Sequence, residues 1–386
     1  MRYTRLSSSA AVAAAVVTCV TAGPAAAGGG DDSSTPVACN TMALTTAILG
    51  ASPGETLSLS RDCVYQLTAP VGATGDGLPR IDRDLTIRGN GATIVRTGNP
   101  TATFRIFEVV SGGRLRLEDL TLRGGRANGD GGGILVSAGT LRLTGVDVLQ
   151  STASGNGGGV AVSTSGTAII RRGWVAFNNG ANGGGLFNEG TLGLEDAEIS
   201  RNHAQSIGGG IAQASGSTYV QATLIRRNTS AAAGGGVGIV GGTAQIDDSK
   251  IANNTTGSLG GGIANTVQLT LEKTEVSGNV AAAPGGDGGG IYNATASGVL
   301  VLKGSNVLGN SANGPTTGTD SAQGGGIYND GGPVTLDHSN VRNNSATVAP
   351  GGVFTNRTFT VTDSAITRNN PTNCAGSPTV VTGCTN

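Results

Sequence analysis

Gly-Gly-Gly followed by an aliphatic residue returns along this chain at nearly constant intervals, and that repetition restricts the fold more than any other feature. The triplets begin at Gly131, Gly157, Gly183, Gly208, Gly234, Gly260, Gly288 and Gly324, with a degenerate copy at Pro350-Gly351-Gly352. Most steps are 25 or 26 residues. At that period one supersecondary unit stacks on its copies, because none can bury its apolar face alone.

A second landmark, aliphatic-x-x-Asn, precedes most triplets. Ile199 to Asn202, Ile225 to Asn228, Ile251 to Asn254, Val276 to Asn279, Val307 to Asn310, Val341 to Asn344 and Ile366 to Asn369 supply it, with Ser151 and Gly125 in its place earlier. Between triplet and Asn lies strict alternation, as in Leu141-Arg142-Leu143, Leu192-Gly193-Leu194, Leu269-Thr270-Leu271 and Leu300-Val301-Leu302. Period-two alternation reads as half-buried strand. Each coil then holds three short strands, starting at the triplet, at Leu-x-Leu and before the Asn. The expected fold is all-β, a right-handed parallel β-helix of about 11 coils of roughly 26 residues, stacked at ~4.8 Å into a rod roughly 50 Å long.

Competing readings fail on residue type or period. Leucine-rich repeats need a helical or 3₁₀ second half, and here that half is rich in Gly and poor in helix formers. The Gly-Gly-Asp-Gly-Gly-Gly at 285 to 290 lacks the nine-residue recurrence of calcium-binding nonapeptides. Chance Gly-x-Gly-x-x-Gly matches, with no helical pattern after them, carry no nucleotide-binding meaning. Charged residues make up 13% of the chain and the net charge is -1, so there is no basic footprint for nucleic acid and no polybasic membrane patch.

The N-terminus carries an export pattern. Arg2 and Arg5 precede an Ala/Val-rich run, and Ala25-Ala26-Ala27 offers a small-residue cleavage site, which marks 1–27 as a signal peptide and the protein as secreted, extracellular or cell-surface associated. Residues 28–37 read as a flexible leader, 38–125 as N-terminal cap and first coils, 126–363 as regular repeats and 364–386 as a disulfide-closed C-terminal cap. Cys39 and Cys63 precede the repeats and Cys374 and Cys384 follow them. Of the three connectivities open to four cysteines, Cys39–Cys63 with Cys374–Cys384 is favoured, because the others staple opposite ends of a rod. Thr41 to Leu49 reads as a short capping helix, with Asn40 as N-cap and Leu44, Ala47 and Ile48 against the first coil.

Gly-Gly-Gly-Ile together with Ile-x-x-Asn resembles the Gly-Gly-Ala-Ile and Phe-x-x-Asn pair of the polymorphic outer membrane protein repeat family. The region 38–125 is similar to the capping segment of bacterial secreted β-helix repeat proteins. The resemblance implies a surface adhesin, which in that family ends in a membrane β-barrel. Here the chain ends at Thr385-Asn386, two residues past Cys384, and a mature protein with no barrel, transmembrane anchor or wall-sorting motif is expected.

Many β-helices cleave polysaccharides, so the carboxylates were weighed for catalysis. Glu118-Asp119, Glu195-Asp196, Asp247-Asp248 and Asp337-His338 all fall in the turn after the Leu-x-Leu strand, where other coils carry Thr144-Gly145, Arg171-Arg172, Gln221-Ala222, Glu272-Lys273, Lys303-Gly304 and Thr362-Asp363. A position that accepts all of these reads as a solvated turn. The alternative gathers Asp247, Asp248 and Glu272 from adjacent coils as Ca²⁺ ligands, with Lys273 or Lys250 taking a proton α to a uronate carboxylate. Lys250 and Glu275 also fall in one outward column and can simply pair. No Ser-His-Asp set can be assembled with His203 and His338, and the Gly-His-Gly element expected of galacturonan hydrolases is absent.

Polar columns have structural readings. Ser249, Thr274, Ser305, Ser339 and Ser364 share one inward position, and the Asn column can bridge rungs through stacked amides. In the strand opened by the triplet, the residue after the aliphatic should face solvent, which lines up Tyr292, Tyr328 and Phe354 on consecutive coils. They sit beside longer connections at Ala281 to Asp287 and Ser311 to Gln323, the second expected to loop out. Sugar rings can lie against such aromatics; alternatively, the three rings stack on one another and stiffen the C-terminal coils. The sequence therefore reads as a secreted or cell-surface β-helix with a non-catalytic binding or structural role, contacting glycan or cell envelope through Tyr292, Tyr328 and Phe354 and using no cofactor. The alternative is a polysaccharide lyase or hydrolase acting on an acidic polysaccharide with Ca²⁺.

Overall fold

A computed structural model describes residues 34–72, 75–98, 102–282, 285–315 and 322–385. The expected signal peptide over 1–27, residues 28–33 of the expected leader, 283–284 in the Ala281 to Asp287 connection and 316–321 in the Ser311 to Gln323 connection lie outside the described residues.

The repeat folds into an all-β parallel solenoid of about 12 turns, against the roughly 11 coils expected. One coil shows the plan: Ile211–Gln213 opens at the triplet, Ser217–Gln221 is the alternating strand, and Leu224–Arg226 runs toward Asn228. Each pairs in parallel register with its equivalents one coil on, Ile211 with Val237, Val220 with Ile246 and Ile225 with Ile251. The aliphatic members point inward and are buried, forming one continuous core along the turns. A fourth strand of two residues, Thr229–Ser230 in this coil, follows the Asn and builds its own nine-stranded sheet. Sequence reading missed it, because two residues have no alternation to detect.

Turn geometry repeats as regularly as the strands. The second turn residue after the Leu-x-Leu strand is left-handed in coil after coil, at Asp119, Arg172, Asp196, Ala222, Asp248, Lys273, His338 and Asp363. That conformation tolerates many residue types at a modest cost, which explains the mixed occupancy. In the triplet, Gly208 needs its positive φ of 68°, while a Cβ on Gly209 would meet the next coil's Gly235 carbonyl oxygen at 2.3 Å. The first glycine serves the turn and the second the approach between coils.

Three side-chain ladders run through these turns. Asn178, Asn202, Asn228, Asn254, Asn279, Asn310, Asn344 and Asn369 form the first, extending the expected column by Asn178 and ending on Asn373. The Asn254 amide nitrogen donates to Asn279 Oδ1 and the Ile225 carbonyl, and its Oδ1 accepts from the Asn228 side chain and main chain, all within 2.9–3.0 Å. Its hydrogen-bonding capacity is thus filled. The second is the expected Ser/Thr column, begun one coil earlier at Thr223, where each hydroxyl accepts a main-chain N–H from the preceding coil. The third, which the sequence reading missed, links Asn265, Asn293, Asn329 and Thr355 in the triplet strand.

Both ends are closed as expected. Disulfides join Cys39 to Cys63 and Cys374 to Cys384. The helix spans Thr41–Gly50, the Asn40 side chain accepts from the Ala43 N–H at 2.8 Å, and Leu44 and Ile48 are buried beneath it. Two assignments need correction. Thr35–Val37, placed in the flexible leader, is a strand paired with Leu57–Leu59, and the burial of Val37 on the core explains its order. At the other end Ala365–Thr367, placed in the cap, still pairs with Asn340–Arg342, so the last regular coil runs on to the Asn369 rung.

Candidate functional site

The triplet strands place Tyr292, Tyr328 and Phe354 at one register position on three consecutive coils. Their rings form a stack: Tyr292 to Tyr328 at 5.4 Å and 14° between planes, Tyr328 to Phe354 at 4.4 Å and 7°. The expected flat, solvent-facing platform is not what forms. Phe354 is buried at 8% exposure, as are Ala161, Phe187, Ala212 and Ala264 in the same column, and the two tyrosines are half-buried. At one coil the residue leading into a triplet lies over this face: a Cβ on Gly238 would meet Ile207 Cγ2 at 2.3 Å. Ring faces turn toward one another, so edges and hydroxyls are what the stack can offer a ligand.

Two carboxylates flank the stack. Asp287, just before Gly288, accepts the Gln323 N–H at 2.8 Å. Burial, reinforced by the Asp330 charge, pushes its carboxyl up to about 6 against the lowering effect of that hydrogen bond. Asp330 is exposed and accepts from the Asn356 side chain. Burial and these two charges also raise both tyrosine hydroxyls, so the phenols remain neutral donors at physiological pH. Sequence reading missed Asp287, since its surroundings are assembled from residues far along the chain; its position before a triplet was the visible signal.

The acidic turn column is arranged differently. Asp247 and Glu272 sit side by side in register, and both are partly exposed. Gln245 donates to Asp247 Oδ2 at 2.8 Å; burial raises the Asp247 carboxyl, with Glu272 and Asp248 adding to the rise and hydrogen bonds from Gln245 and Tyr219 opposing it. Asp248 and Lys273 occupy the left-handed turn and are exposed. Lys250 pairs with Glu275 at 2.9 Å, as their shared column suggested, and Lys273 Nζ lies 3.9 Å from Glu272. Among the described residues no three His, Cys, Asp or Glu side chains gather as a metal ion would require. His203 contacts Thr229, whereas His338 contacts Asp337 at 2.6 Å, so the histidines belong to separate turns.

No family model matches the chain, that of the polymorphic outer membrane protein repeat included, and no curated protein matches it. Two solved structures are similar in architecture. An alginate lyase from Paenibacillus sp. str. FPU-7 is 12% identical with a TM-score of 0.43, covering 86% of this chain and 99% of that one. Pectate lyase Pel9A is also 12% identical at 0.43, covering 91% of this chain and 82% of its own. The shared feature is the solenoid; likeness of that degree transfers no residue role.

Proposed function

We propose that this protein is an exported β-solenoid that contacts polysaccharide, as glycan or cell-envelope polymer, and holds it without cutting it. The observation that carries the reading is the Tyr292–Tyr328–Phe354 stack bordered by Asp287 and Asp330. Aromatic edges with neutral hydroxyl donors beside carboxylate acceptors suit a hydroxyl-rich ligand. Export is supported by the signal-peptide pattern of 1–27 and by two disulfides at the solenoid ends. Among the described residues no helix is long and apolar enough to cross a membrane. Changing Tyr292 and Tyr328 together to Ser tests the contact. Retention on the cognate glycan or envelope fraction should disappear while circular dichroism stays native; full retention would move the contact elsewhere.

The second reading is cleavage of an acidic polysaccharide, the chemistry named for the two similar solenoids. The observation on its side in this chain is Asp247, a carboxyl raised by burial beside Glu272 and hydrogen-bonded to Tyr219. A carboxyl so placed is a candidate general acid or base. Against it, Lys250 is engaged by Glu275, and Asp248 and Lys273 repeat a turn conformation found in nearly every coil.

A further inference from the structure

The third strand of each coil carries one outward column in which Glu198, Leu224, Lys250, Glu275, Asn306 and Asn340 follow one another in register. Trp174, the single tryptophan of the chain, stands in that column one coil before Glu198. Three residues on, Phe177 occupies a left-handed turn at φ 59°, where other coils carry polar residues or glycine, such as Gln150, Arg227, Asn253 and Gly278. A bulky aromatic is an outlier in that conformation. Phe177 is also 41% exposed, so burial does little to offset the cost. The two aromatics touch, with ring centres 5.7 Å apart and planes at 72°. An exposed apolar patch that folding does not require, rimmed by polar groups, marks a contact surface.

Hydrogen bonds hold the patch in place. The indole N–H of Trp174 donates to Ser200 Oγ on the next coil at 2.7 Å, the Ser200 hydroxyl bonds to Glu198, and Glu198 pairs with Arg226 at 3.0 Å. Ala176 and Ser200 are buried although their register positions face outward, as expected of residues beneath an indole. Arg201 lies 5.2 Å from the centre of the Phe177 ring. On the preceding coil Asp147 accepts the Trp174 main-chain N–H at 3.2 Å, and burial raises its carboxyl against that bond. Among the described residues Asp147 has no ion-pair partner, so a partly buried carboxylate with acceptor capacity to spare stands beside the fixed aromatic pair. A surface set before its ligand arrives loses little freedom on binding.

We propose that Trp174 and Phe177 form a binding site for an uncharged pyranose unit of a polysaccharide. The apolar C–H face of the sugar lies on the aromatic surface, while its hydroxyls donate to Asp147 and accept from Arg201. A uronate is disfavoured there, because its carboxylate would meet the like charge of Asp147. This site belongs to the third-strand face, whereas the Tyr292–Tyr328–Phe354 stack belongs to the triplet strands of later coils. The choice of a sugar rests on the polysaccharide reading above; the contact surface rests on the two aromatics alone.

Because Trp174 is the single tryptophan, its emission reports on this site directly. The test is titration of the mature protein with cello-, manno- and xylo-oligosaccharides and with oligogalacturonate, followed by fluorescence and calorimetry in parallel. At least one neutral oligosaccharide should shift the emission to the blue, saturably, and should bind more tightly than oligogalacturonate. Phe177→Asn, which installs the residue that this turn holds at Asn253 and Asn343, should keep the thermal transition and weaken that binding roughly tenfold. The Tyr292→Ser/Tyr328→Ser variant should keep the emission response. Binding of a neutral sugar with unchanged emission, undiminished binding by Phe177→Asn, or retention of an acidic polymer with no neutral sugar bound would each overturn this site and leave polysaccharide contact standing. Emission that shifts with protein concentration in the absence of sugar would overturn it by assigning the patch to a second copy of the chain. Failure to bind any oligosaccharide or polymer would remove this site and the polysaccharide reading together.

Discussion

The first coils and the last ones repeat one backbone plan with different side-chain solutions. In the early coils successive strands merge into long runs, Asp84–Arg96, Arg114–Arg123 and Ile134–Leu149, and the outside is braced by arginine pairs such as Arg105 with the buried Asp76 at 2.7 Å. From Asn178 onward strands are short, separated by left-handed turns, and the amide ladder takes over. Long strands satisfy more main-chain groups by direct pairing; short strands leave turn groups that a buried amide must satisfy.

Breaking the ladder should separate the two regions most sharply. Asn254→Ala removes a side chain with four hydrogen bonds and strands the Asn228 amide, so thermal or urea unfolding should show a loss of about 3 kcal/mol or more. Ser151→Ala, at the ladder's end, loses one hydroxyl donation to the Leu149 carbonyl and should cost about 1 kcal/mol or less. Equal costs would mean that the ladder does not hold the later coils together.

A smaller effect sharpens the electrostatics of the aromatic end. Asp287 is held up at about 6 in the fold against roughly 3.9 in an unfolded chain, so between those values the folded state binds the extra proton. Its contribution to stability is therefore fully present below about pH 4 and is lost as pH rises through about 6. Relative to Asp287→Asn, the unaltered protein should gain on the order of 1–2 kcal/mol on acidification across that window, after allowance for solvent screening. Parallel pH profiles of melting temperature for the two proteins would refute the buried-carboxyl assignment.

The solenoid and two of the three ladders are legible in the sequence because each is a recurrence at fixed spacing, and the end disulfides and the capping helix because each rests on residue types within a short stretch at one end. What escapes is whatever depends on one coil lying over another. Alternation tells which side of a strand Phe354 occupies, but not that this side is covered, leaving Phe354 only 8% exposed. The Gly-Gly-Gly-Ile-x-Asn spacing of Asn265, Asn293 and Asn329 was open to inspection, yet only the paired register turns it into a ladder. Asp287 owes its raised carboxyl to burial and to the charge of Asp330, 43 residues later, acting against the hydrogen bond from Gln323.

The smallest expected change concerns the acidic turns. Asp247→Asn/Asp248→Asn should alter unfolding stability by about 1 kcal/mol or less, because both side chains are partly or fully exposed and their positions accept many residues in other coils. Loss of a calcium-dependent activity in that variant would instead promote the cleavage reading.

The central claim, contact with polysaccharide without cleavage, is tested most directly by incubating the mature protein with a panel of acidic polysaccharides, with and without calcium. Bound polymer and unsaturated products would be followed in the same samples. The account predicts retention of at least one polymer and no unsaturated product in either condition. Accumulation of unsaturated ends, abolished by Asp247→Asn/Asp248→Asn, would contradict it and make the protein a lyase.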